Sequence, residues 1–128
     1  MARILVVDDE PELVQSLSMR LRSLGYEVIN AFNGREAVYA AINELPDLII
    51  LDINMPGFTG HEVATELQSS MKTFTIPIIF LTARNTQVDY DDAFREGAVK
   101  YITKPFDPQE LMKTVQVTLE CCGPRPRE

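Results

Sequence analysis

An α/β fold, a doubly wound sheet of five parallel strands sandwiched between helices, follows from three features of this 128-residue sequence. Short apolar runs alternate five times with longer stretches of helical periodicity, the pattern of a parallel sheet joined by right-handed crossovers. The third run, Leu48 to Leu51, is apolar without interruption and lies between Pro46 and the Pro56-Gly57 turn signal, as befits a strand buried on both faces. It ends in Asp52, and an open sheet of this kind binds ligands beyond the carboxyl ends of its strands. Alone, an aspartate there is an ordinary turn residue, so its meaning depends on what ends the other strands.

Ile4 to Val7 is the first strand. Asp8-Asp9-Glu10 and Pro11 then open a helix, with Asp9 read as N-cap and Glu12 three residues on. Leu13, Val14, Leu17, Leu21 and Leu24 recur along one face of that helix, and Gly25 stops it. Glu27 to Ala31 is the second strand, followed by a helix capped by Asn33 with Glu36 and bearing Ala37, Val38, Ala40 and Ala41. After the third strand, a loop through Asn54, Met55, Pro56 and Gly57 leads into a helix carrying Val63, Ala64 and Leu67. Thr75-Ile76-Pro77 marks the next boundary, and Ile78 to Leu81 forms a strand ending in Thr82-Ala83.

Asn85 caps a fourth helix that runs to Glu96 and stops at Gly97. Its apolar face is thin (Val88, Ala93 and Phe94) and Asp89, Asp91 and Asp92 load it with charge, which makes it the expected mobile element. Val99 to Thr103 is the fifth strand, with Lys104-Pro105 at its end. Asp107-Pro108 and Glu110 then open a fifth helix through Leu111, Met112, Val115 and Leu119. The stretch 123–128 reads as a tail or the start of a linker, leaving 1–122 as one domain.

The composition narrows the classes of function. A net charge of −7 repels nucleic acid and anionic lipid, so direct DNA binding by this segment is not expected. No apolar run approaches the roughly 20 residues that span a bilayer, and Met1-Ala2-Arg3 leads into the first strand without a signal-peptide pattern. A cytoplasmic protein is expected. Cys121 and Cys122 are adjacent and lack the spaced partners of a disulfide framework or zinc site, so they read as reduced thiols. His61, the one histidine, follows Gly60 at a helix start and reads as solvated surface.

On the expected sheet, Asp8 and Asp9 end strand one, Asp52 strand three, Thr82 strand four and Lys104 strand five, so all five residues meet at one edge. Three converging carboxylates repel by roughly 4 kcal/mol per close pair at an effective dielectric near 20. A hard divalent cation relieves that repulsion, and magnesium, held by one or two carboxylates with water and phosphate oxygens, suits the set. Lys104 and Thr82 add the positive charge and hydroxyl that hold the remaining oxygens of a phosphoryl group. Asp52 then stands as a nucleophile that accepts that group as an aspartyl phosphate.

The segments LVVDDE, LDINMPGFTG, FLTAR and YITKPF, in this order at the ends of successive strands, resemble the receiver domains of two-component response regulators. The resemblance spans nearly the whole chain. It implies a flavodoxin-like (βα)5 three-layer sandwich with strand order 2-1-3-4-5. It makes Asp52 the phosphoacceptor and Asp8 and Asp9 the acidic pocket for Mg, with the Asn54 backbone carbonyl a further metal ligand and Thr82 and Lys104 on the phosphoryl group. The implied donor is a phosphohistidine on a histidine kinase or histidine phosphotransfer protein, with small phospho-donors as substitutes. The chain would catalyse only its own phosphorylation and dephosphorylation. Without the resemblance, Tyr101 is an amphipathic ring at the sheet edge. With it, Thr82 and Tyr101 become the switch that remodels the surface of the fourth helix, fifth strand and fifth helix, through which an effector domain, a partner protein or a second copy would be engaged. The Lys104-Pro105 bond is expected cis by the same resemblance. In the winged-helix branch, acidic residues just before the switch aromatic take part in dimer pairing; here Val99-Lys100 stand in that place and depart from that style of dimer. Ala83 leaves the site open, and Arg84 reads either as a gate on hydrolysis or as an exposed loop arginine.

Three other readings compete. A flavin binder of the same fold needs a Ser/Thr/Gly-rich phosphate loop where this chain has Asp8-Asp9-Glu10. A stand-alone aspartyl phosphatase needs a second carboxylate two positions after the nucleophile, and Asn54 stands there. A receiver-like interaction module that is never phosphorylated has no reason to keep all five polar residues.

Overall fold

The computed structural model describes residues 2–82, 98–104 and 106–122 of the chain, with the side chains of 98, 99, 121 and 122 outside that set. Five strands, β1 (Arg3–Val7), β2 (Glu27–Ala31), β3 (Leu48–Asp52), β4 (Ile78–Thr82) and β5 (Ala98–Thr103), form one sheet in the order β2-β1-β3-β4-β5. Every neighbouring pair is parallel. The helices described are α1 (Pro11–Ser23), α2 (Gly34–Glu44), α3 (Gly60–Gln68) and α4 (Pro108–Cys122), the last being the fifth helix expected from the sequence. The helix expected from Asn85 to Glu96 lies outside the described residues, as do Ala83, Arg84, Pro105 with its expected cis bond, and the 123–128 tail.

Alternation along each strand divides the core in two. Leu5, Val7, Ile49, Leu51, Phe80 and Tyr101 face Ala37 and Ala41 of α2 and Val63, Ala64 and Leu67 of α3. Ile4, Val6, Leu48, Ile50, Ile79, Leu81 and Ile102 face Val14, Leu17 and Leu21 of α1 and Leu111, Val115 and Leu119 of α4. Both faces of β3 and β4 are therefore sealed and every residue in them is buried. Each fully buried aliphatic or aromatic side chain contributes about 1.5–3 kcal/mol. The edge strand β2 is half-buried and its residues alternate less cleanly.

Local signals set the helix ends, with one correction. α1 begins at Pro11 with Glu10, not Asp9, in the N-cap position, and Glu10 makes no side-chain capping bond. The N-terminal proline has no N–H to be capped, and the Glu10 N–H is held at 3.0 Å by Asp8 Oδ1 instead. Asp9 is thereby left exposed and unused by the helix. Gly25 (φ +95°) stops α1 in the left-handed conformation that its lack of a Cβ permits. Asn33 accepts the Glu36 N–H at 2.9 Å as expected, and the Glu36 carboxylate reaches back to the Phe32 N–H at 2.9 Å. Asp107 opens α4, its Oδ1 accepting the Gln109 N–H at 3.0 Å.

Candidate functional site

The register brings the strand ends into line. Val7 pairs with Leu51, so Asp8 and Asp52, each one residue further, emerge side by side; Thr82 pairs with Thr103, so Lys104 follows directly. The Lys104 N–H donates to Thr82 O at 2.6 Å and ties the end of β5 to that of β4. Carboxylate oxygens of Asp8, Asp9 and Asp52 lie within 4.8 Å of one another. Asp8 is wholly buried and Asp52 is 2% exposed, whereas Asp9 is open to solvent.

Lys104 is the cation of the cluster. Its ammonium is 2.7 Å from Asp8 Oδ2, 3.3 Å from Glu10 Oε1 and 3.7 Å from Asp52 Oδ1. Burial alone lowers the pKa of Lys104, but the hydrogen bond to Asp8, the charges of Asp52 and Asp8 and the hydrogen bond to Glu10 outweigh it and hold the pKa above its ordinary value. Asp52 is pushed up from 3.8 to about 6, chiefly by burial and then by the charge of Asp8, with Lys104 and the Asn54 N–H acting the other way and Asp9 adding a smaller rise. Perturbed carboxylates of this kind, raised by burial and by acidic neighbours, are found at functional sites as well as in structural charge networks. The donors are all hard oxygens, the set that magnesium takes.

Asn54 touches two members of the site. Its N–H donates to Asp52 Oδ1 at 3.1 Å, and its side-chain Nδ2 donates to Thr82 Oγ1 at 3.3 Å across the ends of β3 and β4. Thr82 is 1% exposed. Tyr101 is 6% exposed and lies among the residues packed around Phe80, its partner on β4. His61 is not solvated surface: it is half-buried, with its ring centroid 5.5 Å from that of Phe80. Gly60 explains why, since α3 starts so close to the end of β3 that a Cβ there would collide with Asp52 O and Ile53 Cα. The first turn of α3, His61 included, is thus drawn in over the sheet.

Two participants were not singled out from the sequence. Glu10 joins Lys104, and its signal was the third acid of the DDE run. Thr59 forms a capping box with Glu62, each side chain accepting the other's backbone N–H (3.3 and 3.0 Å), and the T-x-x-E spacing could have disclosed it.

The family profile described as the response regulator receiver domain matches residues 4–116. Protein PilH of Pseudomonas aeruginosa is 39% identical over 119 residues, covering 93% of this chain and 98% of that protein. The phosphate regulon transcriptional regulatory protein PhoB of the same organism is 39% identical over 121 residues, covering 94% of this chain and 53% of PhoB, so the chain spans about half of that relative. Among solved structures, response regulator TrrA of Thermotoga maritima, in complex with Mg2+-BeF, superposes with a TM-score of 0.81 at 40% identity, covering 91% of this chain and 98% of that one.

Proposed function

The chain belongs to the response regulator receiver family, a family of two-component signal transduction, and on that premise we propose that Asp52 is its phosphoacceptor. The observation that carries this reading is a nearly buried carboxylate at the end of β3, set 3.7 Å from the Lys104 ammonium and beside two further carboxylates. Asp52 Oδ1 is engaged by the Asn54 N–H and faces Lys104, which leaves Oδ2 to attack. Oδ2 bonds to the phosphorus of a phosphohistidine on a histidine kinase or phosphotransfer protein, the P–N bond breaks, and its electron pair stays on the imidazole. Lys104 and the Thr82 hydroxyl hold phosphoryl oxygens as charge builds on them. Attack by water on the same phosphorus later breaks the bond to Asp52 Oδ2, releases inorganic phosphate and restores the carboxylate, so the chain ends each cycle unchanged.

Asp8, Asp9, Asp52 and the Asn54 carbonyl would hold Mg, and TrrA's Mg2+-BeF complex supports that assignment. Bound there, the ion would supply positive charge that offsets the clustered carboxylates and the charge developing on the phosphoryl group. Output would run through Thr82 and Tyr101 to the surface around β5 and α4, and from there to a partner or effector domain in the cytoplasm. A homodimer across the same surface belongs to this reading. No helix among the described residues is long and apolar enough to cross a membrane.

Intact mass after incubation with magnesium and acetyl phosphate tests the proposal. We expect a gain of one phosphoryl group in the native chain and none in Asp52→Asn. No gain with either the small donor or a phosphorylated histidine phosphotransfer protein would overturn it in favour of an interaction module.

A further inference from the structure

We infer that Glu10 is a positioning residue that holds Lys104 back from the phosphoryl site, and that it discriminates against strongly anionic small phospho-donors. The inference rests on Asp52 being the phosphoacceptor. Lys104 reaches three carboxylates, and it is nearer to Glu10 (3.3 Å) than to Asp52 (3.7 Å). The three differ in burial: the side chains of Asp8 and Asp52 are 0% and 3% exposed, whereas that of Glu10 is 66% exposed. Asp8 is therefore the fixed anchor, and Glu10 the partner that can be released. An ammonium has three donors, so a phosphoryl oxygen arriving on Asp52 competes with Glu10 for one of them, while the hydrogen bond to Asp8 persists.

Among the described residues, Glu10 has no hydrogen-bond or ion-pair partner for its side chain besides Lys104. It occupies the N-cap of α1 but caps nothing with its side chain; its backbone N–H is held by Asp8 whatever the side chain is. It also lines an apolar hollow of about 560 Å³ with Leu13, Phe106 and Pro108, where Lys104 and Arg20 are the other charged groups among the described residues. A carboxylate at the rim of the site adds negative charge on the path of an anionic donor as well as restraining the cation that must receive it. Both effects have the same sign, and both grow with the charge of the donor.

An exposed ion pair of this kind is worth about 0.2–1 kcal/mol, or about 1.4- to 5-fold in an equilibrium constant. At saturating magnesium, Glu10→Gln should bind beryllofluoride about 1.4- to 5-fold more tightly than the native chain. Its KM for acetyl phosphate, a dianion, should fall by more than its KM for phosphoramidate, which carries less charge, with the maximal rate little changed. The differences should shrink as salt is raised. Glu10→Lys, which places a like charge on Lys104, should push both readouts further in the same direction. A purely structural role would lower the melting temperature without separating the two donors. Equal donor selectivity and equal beryllofluoride affinity in Glu10→Gln and the native chain would overturn the inference while leaving the phosphoacceptor reading intact. Failure of the native chain to be phosphorylated would instead remove the premise.

Discussion

At the scale of single residues, the site is a balance of charges that holds the Asp52 carboxyl above the usual carboxylate range. Asp52 is raised from 3.8 to about 6, so between those values the folded chain keeps a proton that the unfolded chain has released. The unfolded state then binds fewer protons, and stability falls as pH rises through that window. Each pKa unit corresponds to about 1.4 kcal/mol. In chelator, Asp52→Asn should therefore melt higher than the native chain above pH 6, and the advantage should vanish below pH 4; melting curves from pH 3 to 8 check it, and an advantage independent of pH would point to packing instead. Asp8, Asp9 and Asp52 were legible because they stand where apolar strand runs end. Two contacts were not: Glu10 to Lys104 spans 94 residues of sequence, and the Asn54 amide meets Thr82 across 28. Neither spacing leaves a periodic trace, since both depend on how far a side chain reaches once the sheet is assembled.

At the scale of elements, α3 is the piece whose placement the site depends on most. Gly60 N–H donates to Ile53 O at 3.1 Å, and an added Cβ would meet the backbone of Asp52 and Ile53, neither of which can yield without moving Asp52. Thr59, one residue earlier, only closes the capping box. The two neighbours should thus separate stability from chemistry. Thr59→Ala should cost about 0.5–2 kcal/mol in denaturant melts with phosphorylation largely kept. Gly60→Ala should cost more and should also slow phosphorylation by acetyl phosphate at temperatures where the chain is fully folded. Equal phosphorylation rates in the two variants would mean that the start of α3 does not position Asp52. Most element boundaries were readable because Pro11, Gly25, Asn33, Pro46, Pro77 and Pro108 act locally, through fixed φ, a missing N–H or a tolerated left-handed turn. The start of α1 slipped by one residue because two adjacent acids offered the same capping chemistry, and only the fold decides that Asp8 serves the turn while Asp9 faces the cluster.

At the scale of the whole molecule, the order β2-β1-β3-β4-β5 turns four separate strand ends into one acidic pocket. The sheet keeps Asp8 and Asp52 buried among apolar layers, where their repulsion is poorly screened and Lys104 offsets only part of it. Folding alone does not relieve the rest, because the same pairing that closes the core fixes the carboxylates within 4.8 Å of one another. A divalent cation bound only by the folded chain must then stabilise the whole domain by mass action. At one hundred times its dissociation constant the gain is about 2.7 kcal/mol. For a chain of this length that amounts to a rise in melting temperature of roughly 10 °C. Differential scanning calorimetry of the native chain with magnesium or with chelator should show the rise, and in Asp9→Asn it should shrink, since one proposed ligand and one source of repulsion leave together. Asp9 is exposed and caps no helix, so its replacement costs the fold little and should raise the melting temperature in chelator. A chain whose melting temperature ignores magnesium would instead be one in which Lys104 already neutralises the pocket, and the metal would then have to arrive with the phosphoryl group rather than before it.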